Sequence, residues 1–371
     1  MNPESAAALV LSAGFSERMG DFKPLMRLGE MTVLEQVIRL FQSAGVGRIY
    51  VVVGHRAAEL IPLIERRGAR SVMNARYPEG MFSSVAAGAR SLDEGTDAFF
   101  ALPVDIPLVR PASIRELLQA FPSGTAAICH PTFGGRRGHP PLIGRDHIGS
   151  ILKWREGGGL SALLTRLEGH AVDVAVVDEL IHQDMDRPDD YQRLADRLKS
   201  RDVFSAAECD ALLTDRLQVR PAVAAHGRAV AETAVRIGEA LNRAGFSLNL
   251  QLIRAAALVH DLARGKTDHA RRGAELLQDL DMPQMAAIVA THMDMPDGGE
   301  KPIREAEVVY LADKLVREDR YVGLAERFRR RLDADQTDPV ALESARRRFE
   351  TASRLAQRIE AVIGRSLEGP P

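Results

Sequence analysis

Apolar residues follow two different patterns along the chain, one in each half. In the first half, short apolar runs that suit strands buried on both faces recur at residues 7–11, 49–53, 98–102, 126–129 and 172–177. Between these runs, apolar residues recur at helical spacing over residues 33–43, 83–91, 114–121 and 159–167. The alternation predicts an α/β domain with a Rossmann-like parallel sheet, whose ligands gather at the carboxyl ends of the strands.

The second half of the chain has the pattern of helices only. Apolar and charged faces alternate over residues 204–217, 226–244, 250–262, 270–277, 284–291, 306–318 and 340–363. Gly245, Gly265 and Pro283 interrupt this pattern. We therefore predict an α/β domain over residues 1–198, a helical linker over 199–219, an all-α domain over 220–335 and a C-terminal helix over 336–371.

Composition narrows the range of partners. A formal net charge of −2 offers no general attraction to nucleic acid. No run of about 18 apolar residues is present that could span a membrane. The two cysteines, Cys129 and Cys209, fall one in each half and offer no disulfide framework. We therefore expect a cytoplasmic protein that binds neither nucleic acid nor a membrane.

A glycine-containing loop follows the first predicted strand. Its first residues are Ser12, Ala13 and Gly14, whose backbone N–H groups can approach phosphate oxygens. Arg18 and Lys23 follow, and they supply the positive charge that a triphosphate requires. The spacing is neither that of a Walker loop nor that of a dinucleotide-binding loop. The pattern indicates a nucleotide-binding loop, and a surface loop with two solvated cations is the alternative.

Five segments in chain order resemble the molybdenum cofactor nucleotidyltransferase family. They are this loop, at residues 12–25, and residues 74–84, 102–107, 138–145 and 184–191. The sequence Gly80-Met81-Phe82-Ser83-Ser84 is closer to the cytidylyltransferase branch of the family than to the guanylyltransferase branch. The resemblance covers the predicted α/β domain, for which it implies a nucleotidyltransferase fold.

The resemblance also implies a reaction: Mg²⁺-dependent transfer of a nucleotidyl group, CMP in preference, from an NTP to molybdopterin. Lys23 would stabilise the α-phosphate and Arg18 the β- and γ-phosphates. Asp105 and Asp186 would hold Mg²⁺. The nucleotide would be bound by Ser12, Ala13, Gly14, Arg18, Lys23, Gly80, Ser83 and Ser84.

Several of these assignments have alternatives. Asp105 could instead stabilise a turn, Asp186 could cap the following helix, and Asp184 competes with Asp186 for the metal. The chain has Ser12 where the branch has alanine, and His139 where the branch has asparagine. These departures leave the base and the acceptor open, so another phosphorylated acceptor, such as a sugar phosphate, is an alternative to molybdopterin.

Histidines and aspartates of the second half form a set that suits a metal site. Neither residue type is easily buried unless it is paired, hydrogen-bonded or bound to metal. Imidazole and carboxylate ligands suit Fe, Mn, Co, Ni or Zn. His269 alone would more simply be a core residue, but the whole set predicts one or two divalent ions. Its members are His226, His260, Asp261, His269, His292 and Asp313.

Residues 220–317 resemble the HD superfamily of metal-dependent phosphohydrolases, which implies an all-α HD domain after the nucleotidyltransferase domain. In the family's pattern, one ion is held by His226, His260, Asp261 and Asp313. A second ion is held by His269, His292 and the bridging, catalytic Asp261. Where the family has a lysine shortly after the His-Asp doublet, this chain has Arg264, with Lys266 nearby, and either could bind a substrate phosphate.

The sequence leaves two other functions open. The HD domain could sense nucleotides without turnover, and the whole chain could carry cofactor to a molybdenum enzyme as its partner. His55 could approach substrate, because it follows a predicted strand. The other histidines receive no role and are expected in loops or at the surface: His130, His147, His170 and His182.

Overall fold

The computed structural model of the chain describes residues 1–122, 124, 126–295, 302–332 and 339–367. The chain forms two units, Met1–Arg201 and Asp202–Pro371. Within the described ranges, no helix combines the length and the apolar character needed to cross a lipid bilayer. The predicted boundary between the all-α domain and the C-terminal helix, at residues 335 and 336, lies outside the described residues.

The first unit is organised by one large sheet and a small hairpin. Its strands are β1 (Ala6–Ser12), β2 (Arg27–Leu28), β3 (Met31–Thr32), β4 (Arg48–Val53), β5 (Arg70–Met73), β6 (Ala98–Pro103), β7 (Ile128–Phe133), β8 (Arg136–Arg137), β9 (Leu142–Gly144) and β10 (Ala171–Ala175). The order in the sheet is β10-β7-β9-β6-β1-β4-β5, with β8 paired to β7, while β2 and β3 pair with each other.

The sheet is mixed, whereas the sequence pattern predicts a parallel one. Strands β6, β1, β4 and β5 are parallel neighbours, as are β7 and β10. Strand β9 is antiparallel to both β6 and β7, and its three residues are too few for the apolar pattern to reveal. Strand β10 lies at the edge and is mostly exposed, with Val172 at 37%, so it is not buried on both faces as expected.

Among the described residues, six α-helices lie between these strands and a seventh follows β10. They are α1 (Val33–Ser43), α2 (Ala57–Arg66), α3 (Met81–Arg90), α4 (Pro111–Ala120), α5 (Ile148–Lys153), α6 (Gly159–Arg166) and α7 (Pro188–Leu198). Helix α1 begins where Thr32 and Glu35 form a capping box, each side chain accepting a hydrogen bond from the other residue's backbone N–H. The register pairs Leu11 with Pro103 and Ser12 with Val53, so the loops after β1, β4 and β6 emerge at one edge of the sheet.

The second unit is helical, as predicted, apart from one short hairpin. Its elements are α8 (Ala206–Ala211), α9 (Pro221–Arg243), α10 (Leu250–Val259), α11 (His269–Asp279), α12 (Pro283–Thr291), α13 (Glu305–Leu315), β11 (Val316–Arg317), β12 (Arg320–Tyr321), α14 (Gly323–Leu332) and α15 (Pro339–Ile363). A π-helical turn, Leu212–Arg216, continues α8.

Two predicted boundaries differ from the structure. Residues 202–219, predicted as part of a linker, belong to the second unit, where Phe204, Cys209 and Leu212 are buried. The helix predicted to reach residue 318 ends at Leu315, because residues 316–317 pair with residues 320–321 as β11 and β12. In both cases packing against the rest of the unit, which the local pattern does not contain, sets the boundary.

Helices α9 and α10 pack closely together at Gly227. A Cβ atom at this position would lie 2.3 Å from the carbonyl oxygen of Leu258. We therefore expect Gly227→Ala to lower the free energy of unfolding by about 1–3 kcal/mol, because backbone on one side must move. Urea denaturation measures this, with Gly149→Ala as the control, since its new methyl group would meet nothing within 4 Å. Equal stability of the two variants would contradict the expectation.

Candidate nucleotide and metal sites

A cavity of about 290 Å³ lies at the edge of the sheet where the loops after β1 and β6 emerge. The buried hydroxyl of Ser12 has no hydrogen-bond partner among the described residues, so it is available to a ligand. Seven of the residues proposed from sequence for nucleotide or Mg²⁺ binding line this cavity: Ser12, Ala13, Gly14, Lys23, Gly80, Ser84 and Asp105.

Two predicted magnesium ligands meet at one lysine beside this cavity. The buried Lys23 Nζ lies 3.2 Å from Asp105 Oδ2 and 2.8 Å from Asp186 Oδ1. The exposed Arg18 reaches the same group, with Nη1 at 2.8 Å from Asp186 Oδ2. The carboxylates stand 82 and 163 positions from Lys23 in the chain, so only the fold brings them together. Two carboxylates and two cations at one point suit binding of Mg²⁺ and phosphate.

The structure also distinguishes among the aspartates before α7. The carboxylate of Asp190 accepts the N–H groups of Asp186 and Arg187, so it caps the helix and leaves the Asp186 carboxylate for Lys23. Asp184 is exposed, and partial desolvation together with the carboxylates of Asp186 and Asp105 raises its pKa. The alternative in which Asp186 serves as the helix cap is therefore not what the structure contains.

Asn74, which has no predicted role, holds the segment after β5 in place through hydrogen bonds. Its side-chain amide donates to Ser83 Oγ at 2.8 Å and to Ser84 Oγ at 3.0 Å. Ser83 Oγ in turn donates to the carbonyl of Gly80 at 2.8 Å. Asn74 is buried. It immediately follows the end of β5, and a polar residue at the carboxyl end of a strand is the sequence signal that could have identified it. These bonds fix the loop that borders the nucleotide cavity.

A larger cavity, of about 950 Å³, adjoins the first and shares Leu11, Gly80, Met81 and Pro103 with it. Ser83 lines this second cavity rather than the first. His130 also lines it and is 6% exposed within β7, so the expectation of a surface position for His130 is wrong. The same expectation is wrong for His147, which is buried with Nε2 at 2.6 Å from the carbonyl oxygen of Ala126.

The second unit gathers all six predicted metal ligands at one place. They come from five different helices or the turns that follow them, and all but His269 are buried. The His260-Asp261 doublet lies in the turn directly after α10 rather than inside a helix. The positions are His226 in α9, His260 and Asp261 after α10, His269 at the start of α11, His292 after α12 and Asp313 in α13.

Three of these histidines are oriented by backbone carbonyls. His226 Nδ1 lies 2.6 Å from the carbonyl oxygen of Glu318, and the corresponding distances for His260 and His292 are 2.7 and 2.6 Å, to Ala257 and Val289. A carbonyl oxygen only accepts, so each Nδ1 carries the proton and each Nε2 keeps a lone pair for a metal. His260 Nε2 is buried with no hydrogen-bond partner, an orphaned atom that a metal ion would satisfy.

Asp261 faces two groups of histidines with its two oxygens. Oδ1 lies 3.3 Å from His269 Nε2 and 3.5 Å from His292 Nε2. Oδ2 lies 3.7 Å from His260 Nε2 and 4.0 Å from His226 Nε2. Within each group the ligand atoms lie within 4.8 Å of one another. Burial alone would raise the pKa of Asp261, but the surrounding imidazoles lower it, so the carboxylate is charged. The residues fit two ions bridged by Asp261.

Asp313 joins the group formed by His226, His260 and Asp261, and Lys314 holds its carboxylate in place. Asp313 Oδ1 lies 3.1 Å from His226 Nε2 and 3.5 Å from His260 Nε2. Lys314 Nζ is buried and donates to Asp313 Oδ2 at 2.6 Å and to the carbonyl of His292 at 2.8 Å. Burial would raise the pKa of Asp313, but the Lys314 ammonium and the imidazoles hold it well below its ordinary value. Lys314 thereby directs Oδ1 toward the histidines.

We expect Lys314→Met to weaken Mn²⁺ binding by about 10- to 100-fold, the usual cost of losing the partner that orients a metal ligand. Isothermal titration with Mn²⁺ measures the change. Lys314→Arg retains the positive charge and should restore part of the affinity. Lys153→Met, at an exposed lysine of the first unit, serves as the control. Unchanged affinity in Lys314→Met would show that Asp313 needs no such support.

Arg264 is the cation nearest to the bridging carboxylate. Its Nη1 lies 2.8 Å from Asp261 Oδ2, and its side chain is 45% exposed. Lys266, the other candidate for phosphate binding, is exposed on the following turn. The structure therefore brings Arg264 to the metal ligands. A guanidinium at this position can contact both the carboxylate and an entering phosphate.

Comparison with known proteins identifies both parts of the chain. Residues 8–172 match the MobA-like NTP transferase domain, and residues 223–318 match the HD domain. Phosphoenolpyruvate guanylyltransferase of Rubrobacter xylanophilus is 31% identical over 193 residues, which are 49% of this chain and 87% of that protein. Molybdenum cofactor cytidylyltransferase of Escherichia coli is 23% identical over 185 residues, which are 49% of this chain and 92% of that protein.

Two further comparisons concern a longer protein and a solved structure. The bifunctional IPC transferase and DIPP synthase of R. xylanophilus is 40% identical over 131 residues, which are 34% of this chain and 29% of that protein's length. A nucleotidyl transferase structure from Methanothermobacter thermautotroptrophicus is 26% identical with a TM-score of 0.48, covering 53% of this chain and 98% of that one. The two family matches, over residues 8–172 and 223–318, confirm the predicted order of an α/β nucleotidyltransferase domain followed by a helical HD domain. This chain belongs to the MobA-like NTP transferase family through its first unit and carries an HD domain in its second.

Proposed function

We propose that this chain is a bifunctional enzyme of molybdenum cofactor maturation. The first unit transfers CMP from CTP to molybdopterin, and the second hydrolyses a phosphate ester or anhydride. The observation that carries the transferase part is the contact of Lys23 with both Asp105 and Asp186 beside two adjoining cavities. The smaller cavity takes the nucleotide, and the larger one takes the acceptor.

Each charged residue beside the smaller cavity has a distinct role in the proposed nucleotidyl transfer. The chemistry needs an acceptor phosphate in line with the α-phosphate and neutralisation of the charge that develops there. Mg²⁺ held by Asp105 and Asp186 would supply part of that neutralisation. Lys23 then stabilises the α-phosphate, and Arg18 stabilises the β- and γ-phosphates from the solvent side, since its side chain is 69% exposed. The backbone at Ala13 and Gly14 binds phosphate oxygens.

Support for CMP as the transferred group comes from sequence and relatives together. Gly80, Ser83 and Ser84 follow the pattern of the cytidylyltransferase branch, and Asn74 holds both serines in place. Relatives of the chain include cytidylyltransferases named for the molybdenum cofactor, 3-deoxy-manno-octulosonate and 2-aminoethylphosphonate. One relative is named for guanylyl transfer, so GTP is the nucleotide to compare with CTP.

The test of the transferase is pyrophosphate release by the purified protein with Mg²⁺ and molybdopterin, comparing CTP, GTP and ATP. Mass analysis of the products identifies the adduct. A CMP adduct that forms fastest with CTP is the expected result. A GMP adduct would show that GTP, not CTP, is the donor. If none of the three nucleotides gives an adduct, molybdopterin is refuted as the acceptor.

A second acceptor class has its own support. Relatives named for phosphoenolpyruvate and 2-aminoethylphosphonate point to small acceptors that carry a phosphate or phosphonate group. His139, where the cofactor branch has asparagine, lines the acceptor cavity and is the position at which such a change would act. A panel of sugar phosphates and phosphonates with CTP tests this alternative, and turnover above that with molybdopterin would favour it.

For the second unit we propose a metal-dependent phosphohydrolase. The six candidate ligands lie together, three of the histidines are oriented by backbone carbonyls, and divalent ions bound there would supply the Lewis acidity for hydrolysis of a phosphate group. Arg264 binds the substrate phosphate, because it already lies at the edge of the ligand cluster. The test is a panel of phosphate esters and anhydrides with Mn²⁺, Fe²⁺, Co²⁺, Ni²⁺ and Zn²⁺. Inactivity with every metal would favour a nucleotide sensor.

A further inference from the structure

Aromatic rings from three loops gather beside the smaller cavity of the first unit. Phe15 comes from the loop after β1, His55 from the turn after β4 and Tyr77 from the segment after β5. The Phe15 ring centroid lies 5.1 Å from that of His55 and 5.2 Å from that of Tyr77. Phe15 and Tyr77 both line the cavity, where they form an aromatic wall in addition to the charged groups of Lys23 and Asp105.

The backbone around the aromatic wall holds its two rings in place. Tyr77 packs directly on Gly54, where a Cβ atom would lie 2.6 Å from Tyr77 Cγ. Ser16, which follows Phe15, has a φ of 60°, in the left-handed region that residues other than glycine rarely adopt. Its Oγ accepts a hydrogen bond from the backbone N–H of Lys23 at 3.2 Å. The loop therefore turns sharply directly after Phe15, and the position of Tyr77 depends on a glycine.

Phe15 is open to solvent, although its side chain is large and apolar. It is 44% exposed, and Met81, at the start of α3, is 59% exposed and lines the same cavity. Among the described residues six large apolar side chains are exposed, and two of them thus border this one cavity. Single exposed apolar residues are common, but several beside a polar cavity mark a binding surface.

The chemistry of a nucleotide indicates which of its parts meets the aromatic wall. The phosphates need cations and N–H groups, which Arg18, Lys23 and the backbone at Ala13 and Gly14 provide. The ribose carries hydroxyls, for which an aromatic ring offers no good partner. The base is planar, and its faces stack on aromatic side chains. The base is therefore the part of the nucleotide that suits Phe15.

We propose that Phe15, with Tyr77 beside it, binds the base of the nucleotide by stacking. Every base has a π-face, so stacking strengthens nucleotide binding without selecting one base. The choice among CTP, GTP and ATP then falls to hydrogen-bonding groups of the cavity, such as the buried Ser12 hydroxyl. The inference rests on the proposed transferase function and names the residues that hold the base.

The experiment measures nucleotide binding to Phe15→Ala by calorimetry, with Mg²⁺ and whichever of CTP, GTP and ATP the parent binds most tightly. We expect about ten-fold weaker binding, the size of effect that follows loss of one ring stacked on a base. Tripolyphosphate, which has no base, should bind the variant and the parent equally. Phe15→Tyr keeps an aromatic ring and should bind the nucleotide as the parent does. Because Phe15 is already exposed, its truncation removes little packing.

Val172→Ala is the control, since it truncates another exposed apolar side chain of the same unit, in the edge strand β10. Parent affinity for the nucleotide in Phe15→Ala would overturn the inference. So would an equal loss of affinity for the nucleotide and for tripolyphosphate, because Phe15 would then act through the phosphate-binding loop. Nucleotide binding that depends on Phe15, without transfer of CMP to molybdopterin, would refute only the proposed transfer.

Discussion

Replacing Lys23 with methionine is expected to lower the rate of CTP-dependent pyrophosphate release by about 10²- to 10³-fold. Lys23 is buried and contacts both candidate magnesium ligands, so it is the fixed positive charge at the point where the α-phosphate must lie. Loss of one preorganised group that stabilises developing charge costs a factor of this size in other enzymes. The measurement is the initial rate with saturating CTP, Mg²⁺ and molybdopterin.

Two controls separate this effect from a loss of folding. Lys153→Met changes an exposed lysine of the same unit and should leave the rate unchanged. A thermal melt of Lys23→Met shows whether Asp105 and Asp186 destabilise the unit once their shared cation is gone. A folded Lys23→Met that releases pyrophosphate at the parent rate would contradict the role of Lys23. Lys23→Arg keeps the positive charge but not the shape of the side chain, so its rate of pyrophosphate release should lie between the rates of the parent and of Lys23→Met.

Replacing Asp261 with asparagine is expected to remove both metal-binding positions together with hydrolysis by the second unit. Each oxygen of Asp261 faces one group of histidines, so no other described side chain can take its place between them. The amide has one oxygen and no charge. The loss of Mn²⁺ affinity should exceed the roughly 10- to 100-fold that follows removal of an orienting partner.

The measurement is metal content after dialysis, followed by turnover of whichever phosphate ester the parent hydrolyses. Asp268→Asn provides a matched control, because Asp268 is an exposed aspartate that pairs with Arg271 near the site without facing the histidines. A variant Asp261→Asn that retains two ions would refute the bridging arrangement. Retention of one ion would assign Asp261 to a single group of histidines.

The sequence alone predicted more of the candidate site in the second unit than in the first. In the second unit, the six candidate ligands could be predicted because histidine and aspartate are rarely buried without a partner, and because the segment resembles the HD superfamily. Their number and type carried the signal, and no contact had to be known. In the first unit, the glycine-containing loop and the cations Arg18 and Lys23 were recognisable for the same kind of reason, since a phosphate needs backbone amides and positive charge.

The tertiary structure decided what depends on distance. It placed Asp186 rather than Asp184 on Lys23, because the capping by Asp190 sets where the chain turns before α7. It placed His130 and Trp154 in the lining of the same larger cavity, although they stand in different segments of the chain. It also brought the Lys314 ammonium into hydrogen-bond contact with Asp313 Oδ2. Local pattern records which residues can be buried, while the partner of each buried charge is fixed by packing between elements that are distant in the sequence.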